Sequence, residues 1–175
     1  MTHNKILVAF YSRSGTTRKV ASILAKMLGA DLEEIVERRA RAGPFGYVRS
    51  LVEAIEGRPA DIAAPKHDAS AYDLIVIGSP VWAGSVSSPA RAYLLANRSR
   101  FRRAAFFCCF ARRDGKLSLR EMNALCGKVP LAECGITARE AQHGAASRVL
   151  SDFVERIQRN LAEIQGRGTK QGELT

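Results

Sequence analysis

Three short, unbroken apolar runs constrain this chain more than any other feature. They are Lys5-Ile6-Leu7-Val8-Ala9-Phe10-Tyr11, Tyr72-Asp73-Leu74-Ile75-Val76-Ile77-Gly78 and Ala104-Ala105-Phe106-Phe107-Cys108-Cys109-Phe110-Ala111. A strand with one wet face alternates apolar and polar residues. Continuous runs belong to strands covered on both faces, and so to a parallel sheet with helices on either side. The stretches between the runs have helical periodicity. Val20, Ile23, Leu24, Met27 and Leu28 recur at helical spacing, with Gly29 following as a stop. Leu150, Phe153, Val154, Ile157, Leu161 and Ile164 outline a long C-terminal helix. Residues 89–96 and 117–126 also read as helices, the second with Ser118 and Glu121 spaced for a capping box. Pro44 starts a further helix carrying Val48, Leu51, Val52 and Ile55, and residues 60–71 read as a loop. Residues 31–36 and 129–136 are weaker strands.

Five strands separated by helices predict an α/β, three-layer, doubly wound parallel sheet. Residues 1–165 form one domain in this reading and residues 166–175 a polar C-terminal tail. The chain's 46% hydrophobic and 25% charged residues exclude a disordered polymer. No apolar stretch reaches the roughly 18–20 residues of a membrane span. Cys108 and Cys109 are adjacent in an apolar run, so with Cys126 and Cys134 they read as reduced thiols rather than a secreted disulfide framework. The expected compartment is cytoplasmic.

In doubly wound folds, ligands sit at the carboxyl ends of the strands. After the first run comes Ser12-Arg13-Ser14-Gly15-Thr16-Thr17, four hydroxyls and a glycine where a helix begins. Free amides, the helix dipole and hydroxyl donors favour a terminal phosphate there; a plain capped turn is the alternative. After the second comes Ser79-Pro80-Val81-Trp82-Ala83-Gly84-Ser85, which holds the chain's one tryptophan, suited to stacking on a flat heteroaromatic ring. After the third come Cys109, Phe110, Ala111, Arg112 and Arg113, whose backbone donors and charge could meet the polar edge of such a ring. Other anion loops fail on residues. Thr16 follows Gly15 where a P-loop needs lysine, and no Gly-x-Gly-x-x-Gly follows a strand. His3, His67 and His143 read as solvated, and Cys126, Cys134 and His143 lack zinc-ligand spacing.

Together these segments resemble the flavodoxin family over roughly residues 4–165. The resemblance implies a five-stranded sheet of order 2-1-3-4-5 with FMN as cofactor. Ser12, Arg13, Ser14, Gly15, Thr16 and Thr17 would lie around its phosphate. Ser79, Pro80, Val81, Trp82, Ala83 and Gly84 would form the loop with the stacking aromatic. Cys109, Phe110, Ala111 and Arg112 would line the other edge of the ring.

The function expected is that of an FMN-binding redox protein carrying electrons on the flavin. An FMN-dependent NAD(P)H or quinone oxidoreductase is the alternative within the class. A basic interaction or nucleic-acid module without flavin is the alternative outside it, suggested by the formal charge of +10. Arg98, Arg100, Arg102, Arg103, Arg112, Arg113, Lys116 and Arg120 stand against Asp114 alone over residues 98–120. Such a patch suits an acidic redox partner, or the protein passes electrons to a small-molecule acceptor. The run lacks interleaved aromatics, which argues against nucleic acid. Arg112 or Arg113 near the ring's pyrimidine edge would stabilise the reduced anion.

Overall fold

The computed structural model describes residues 4–38, 59–111, 115–143 and 146–172. The helix predicted from Pro44, together with Arg112 and Arg113, lies outside these residues. Along the chain come β1 (Ile6–Phe10), α1 (Thr16–Leu28), β2 (Asp31–Glu34), β3 (Leu74–Trp82), β4 (Ser85–Val86), α2 (Ser88–Asn97), β5 (Ala104–Phe110), α3 (Lys116–Cys126), β6 (Glu133–Thr137), α4 (Ala138–His143) and α5 (Ser147–Gly172). The parallel strands stand in the order β2-β1-β3-β5-β6, which is the predicted 2-1-3-4-5 order, and the two-residue β4 pairs antiparallel with β3.

The continuous apolar runs are the central strands because both faces of the sheet are covered. Ile6, Val8, Phe10, Leu74, Val76, Phe107 and Cys109 face one core, shared with Leu24 of α1 and Phe153 and Ile157 of α5. Leu7, Ala9, Ile75, Ile77 and Phe106 face the other, shared with Tyr93 and Leu94 of α2 and Met122 of α3. Each Val, Leu, Ile, Phe or Met among them contributes roughly 1.5–3 kcal/mol when fully buried. β3 lies so close to β5 that a Cβ on Gly78 would stand 2.0 Å from Cζ of Phe107. No helix among the described residues is long and apolar enough to cross a membrane.

Several local expectations are corrected. Residues 79–82 are not a loop: β3 continues through them, pairing Ser79 with Cys108 and Pro80 with Cys109, then Val81 with Val86 and Trp82 with Ser85. The turn between is Ala83-Gly84, with φ of 52° and 87°. The Ser118–Glu121 capping box does not form. Gly115 is the N-cap of α3, Ser118 is buried inside the helix, and Glu121 reaches out to β4. The box is instead at α4, where Thr137 N donates to Glu140 Oε2 at 2.8 Å and Glu140 N donates to Thr137 Oγ1 at 3.2 Å. The last predicted strand begins later, at Glu133, and Val129 is 92% exposed. α5 continues through Gly172, so part of the segment expected as a tail is helical. His67 is not simply solvated, since its Nδ1 lies 3.2 Å from Oε2 of the buried Glu33. That carboxylate also accepts from the backbone N–H groups of Lys66 and His67, at 2.6 and 3.3 Å, and so holds the chain leading towards β3 against β2.

Candidate functional site

The segments at the carboxyl ends of β1, β3 and β5 meet in one cleft. About 170 Å³ of it is enclosed by Ser14, Thr16 and Thr17 from the start of α1, Pro80, Val81 and Trp82 from β3, Cys109, Phe110 and Ala111 at the end of β5, and Ala138. These residues come together because parallel strands place all their carboxyl ends on one side. Among the described residues, none lining the cleft is charged.

One part of the lining is the N-terminus of α1. Gly15 is its N-cap with φ 89°, a left-handed conformation that glycine adopts without strain. A Cβ there would meet nothing within 4 Å, so backbone conformation and not space makes this position glycine. The helix has no side-chain cap hydrogen bond and no acidic residue in its first turn. Its first backbone N–H groups and its dipole therefore remain available to an anion. The Ser14 and Thr16 hydroxyls lie 3.4 Å apart beside them. Ser12 has a different job. It is buried, and its Oγ accepts from Gly15 N at 3.2 Å, which shapes the loop from inside. Arg13 is exposed and does not line the cleft.

Trp82 lines the cleft from β3, with its ring centroid 5.5 Å from that of Tyr11 and the planes at 89°. This edge-to-face contact leaves the indole partly buried at the cleft wall. Ser79, Ala83 and Gly84 do not line the cleft. Ser79 is fully buried, and its Oγ accepts from Ser87 N at 3.0 Å and bonds to Ser87 Oγ at 3.0 Å, tying β3 to the start of α2. Ala83 and Gly84 make the turn.

The end of β5 supplies a further part of the lining. Burial pushes the Cys109 thiol up to about 12, with a hydrogen bond from Thr17 opposing the shift. Cys109 is therefore a neutral thiol at neutral pH and not a nucleophile. All four cysteines are buried and free. Phe110 packs against Gly115 and Gly135, where an added Cβ would stand 3.0 and 2.9 Å from its ring. Arg112, the last residue expected at the site, lies outside the described residues.

The sequence reading missed Ala138. It begins α4 directly after β6, and the rule that sent attention to strand ends applies to β6 as well. Of the basic run, Arg100 pairs with Asp68 at 3.8 Å and Arg102 with Asp73 at 3.2 Å. Lys116 and Arg120 stand on α3. Arg98, just after α2, reaches the same helix, its Nη1 donating to Leu125 O at 3.1 Å. Among the described residues, no group of three or more His, Cys, Asp or Glu could hold a metal ion.

A family model described as Flavodoxin matches residues 5–96 of the sequence. No curated protein matches. Among solved structures, a flavoprotein in complex with FMN from Lactobacillus acidophilus NCFM is similar at 26% identity and a TM-score of 0.67, over 75% of this chain and 93% of that one. A putative flavoprotein from Bacteroides uniformis ATCC 8492 has a TM-score of 0.72 at 16% identity, over 88% of this chain and 99% of that one. Another from Bacteroides eggerthii DSM 20697 has 0.67 at 20% identity, over 85% and 98%. The last two show a shared fold.

Proposed function

The chain belongs to the flavodoxin family, and on that premise we propose that its single domain holds FMN in the strand-end cleft and carries electrons on it. One observation supports this most. A helix N-terminus with hydroxyls and no competing acid lines the same cleft as the chain's one tryptophan. A phosphate and a flat ring joined in one ligand fit that arrangement.

In this reading the first-turn amides of α1 with Ser14, Thr16 and Thr17 hold the phosphate, while Ser12 and Gly15 shape the loop and Arg13 adds charge nearby. Trp82 covers one ring face, on a strand and turn made by Ser79, Pro80, Val81, Ala83 and Gly84. Cys109, Phe110, Ala111 and Arg112 line the other edge. FMN supplies the redox chemistry when bound. The residues here bind it, orient it and exclude water from it.

Among the described residues, the lining offers hydroxyls and a neutral thiol, and the basic residues Lys116 and Arg120 of α3, which suit a protein partner, support carriage of electrons. We place the partner's docking at the rim near Lys116 and Arg120, which suits an acidic surface.

The test is a titration of the purified protein with FMN, read by visible absorbance and flavin fluorescence. Stoichiometric uptake with quenched emission, weakened at least tenfold by Thr16→Ala or Trp82→Ala, is the expected result. No uptake by folded protein would overturn the reading. Sustained NAD(P)H oxidation by the loaded protein alone would move it to the oxidoreductase alternative.

A further inference from the structure

Trp82 stands where β3 has left the main sheet, so something outside the sheet has to fix it. Its hairpin partner is the short β4, in which Ser85 faces Trp82 and Val86 faces Val81. Both partners are held from behind by one carboxylate. Glu121 Oε2, from α3, accepts from Ser85 Oγ at 2.5 Å and from Val86 N at 2.8 Å. The other oxygen, Oε1, pairs with Nη2 of Arg91 from α2. Arg91 Nη2 also donates to Ser85 Oγ at 3.1 Å. The Ser85 hydroxyl thus donates to the carboxylate and accepts from the guanidinium.

Arg91 is only 6% exposed, and among the described residues its Nε has no hydrogen-bond partner. A buried guanidinium with an orphaned donor, paired to a half-buried carboxylate, is a poor source of stability, since well-packed apolar residues often serve as well or better. What an ion pair adds is direction. Here the direction is along the two residues that face Val81 and Trp82. Neither Arg91 nor Glu121 lines the cleft.

We propose that Arg91 and Glu121 are positioning residues that set the indole of Trp82 over the cleft, and through it the affinity for the cofactor's ring. This rests on the reading of the cleft as an FMN site. The phosphate end is held by β1 and α1, which the pair does not touch, so the two ends separate in experiment.

The chain's one tryptophan makes the cofactor-free protein its own probe. The double variant Arg91→Met with Glu121→Met replaces the pair by apolar residues of similar volume. We expect a folded protein with a shifted Trp82 emission and increased quenching by acrylamide. Its affinity for FMN, and for riboflavin, which lacks the phosphate, should fall about tenfold, while inorganic phosphate binds as before. Glu121→Gln, which keeps an acceptor for Val86 N, should recover part of the loss. Unchanged emission and quenching with unchanged riboflavin affinity would overturn the proposal, as would equal losses for riboflavin and phosphate. If the double variant does not fold, Ser85→Ala removes only the hydroxyl and is read in the same way. If the parent protein takes up no FMN, the functional reading fails, and Trp82 emission and quenching still decide whether the pair positions the indole.

Discussion

The Thr17 hydroxyl stands against the Cys109 thiol and offsets part of the rise that burial gives its pKa. Thr17 from the first turn of α1 and Cys109 from the end of β5, separated by 92 positions in sequence, line the same cleft. Thr17 is 2% exposed and Cys109 5%. Thr17→Val keeps the shape, removes the hydroxyl and should cost about 1 kcal/mol in denaturant unfolding.

The same thiol should be inert. With its ionisation pushed up to about 12, roughly one molecule in ten thousand carries a thiolate at pH 8. Colorimetric thiol titration of the native protein is expected to proceed no faster than unfolding, and all four cysteines should react once denaturant is added. Rapid labelling of Cys109 in folded protein would contradict the burial described.

Gly78→Ala tests the closeness of β3 and β5. The added carbon would stand 2.0 Å from Phe107 Cζ, and that ring is fully buried in a packed core. A loss of about 3 kcal/mol is expected in thermal or denaturant melts. Phe107→Leu in the same chain should recover part of it, although Phe107→Leu alone destabilises.

The α4 cap makes stability depend on pH. Hydrogen bonds from Thr137 hold the Glu140 carboxyl below the usual carboxylate range. A depressed folded value means that the stabilisation is full above the unfolded value, about 4.3. It is lost as pH falls through the folded one. Thr137→Ala should cost about 1 kcal/mol at pH 7. The difference between parent and Glu140→Gln should shrink below pH 4, as measured by denaturant melts across pH.

Arg120 sits on α3, at the docking site proposed above. Arg120→Glu should slow reduction by an acidic redox protein severalfold at low salt, and added salt should erase the difference. Arg100→Glu and Arg102→Glu, which replace residues already paired with Asp68 and Asp73, should leave that rate nearly unchanged. The rates come from stopped-flow mixing of the loaded protein with a reduced acidic redox protein.

The central sheet was legible because apolar runs buried on both faces carry a strong pattern, and β1, β3 and β5 are those runs. The hydroxyl-rich loop after β1 was legible for a similar reason: a glycine among hydroxyls at a helix start is local chemistry. Contacts between distant segments were less visible. Glu121 has the spacing of a capping residue from Ser118, yet its carboxylate is taken by Ser85, Val86 and Arg91. Only the fold brings those groups near it. The same holds for Glu33, whose partners at Lys66 and His67 lie more than thirty residues away. Residues 79–82 look like a loop because Ser, Pro and Trp interrupt the apolar run, whereas pairing with β5 and β4 keeps them extended.

The β3–β4 hairpin also limits how this sequence can drift. Side chains alternate along a strand, so the four-residue step from Gly78 to Trp82 fixes which side of the ribbon the indole occupies. One residue inserted or deleted there would turn Trp82 to the opposite side, and only paired changes would restore it. Length variation among relatives should therefore be scarce between Gly78 and Trp82.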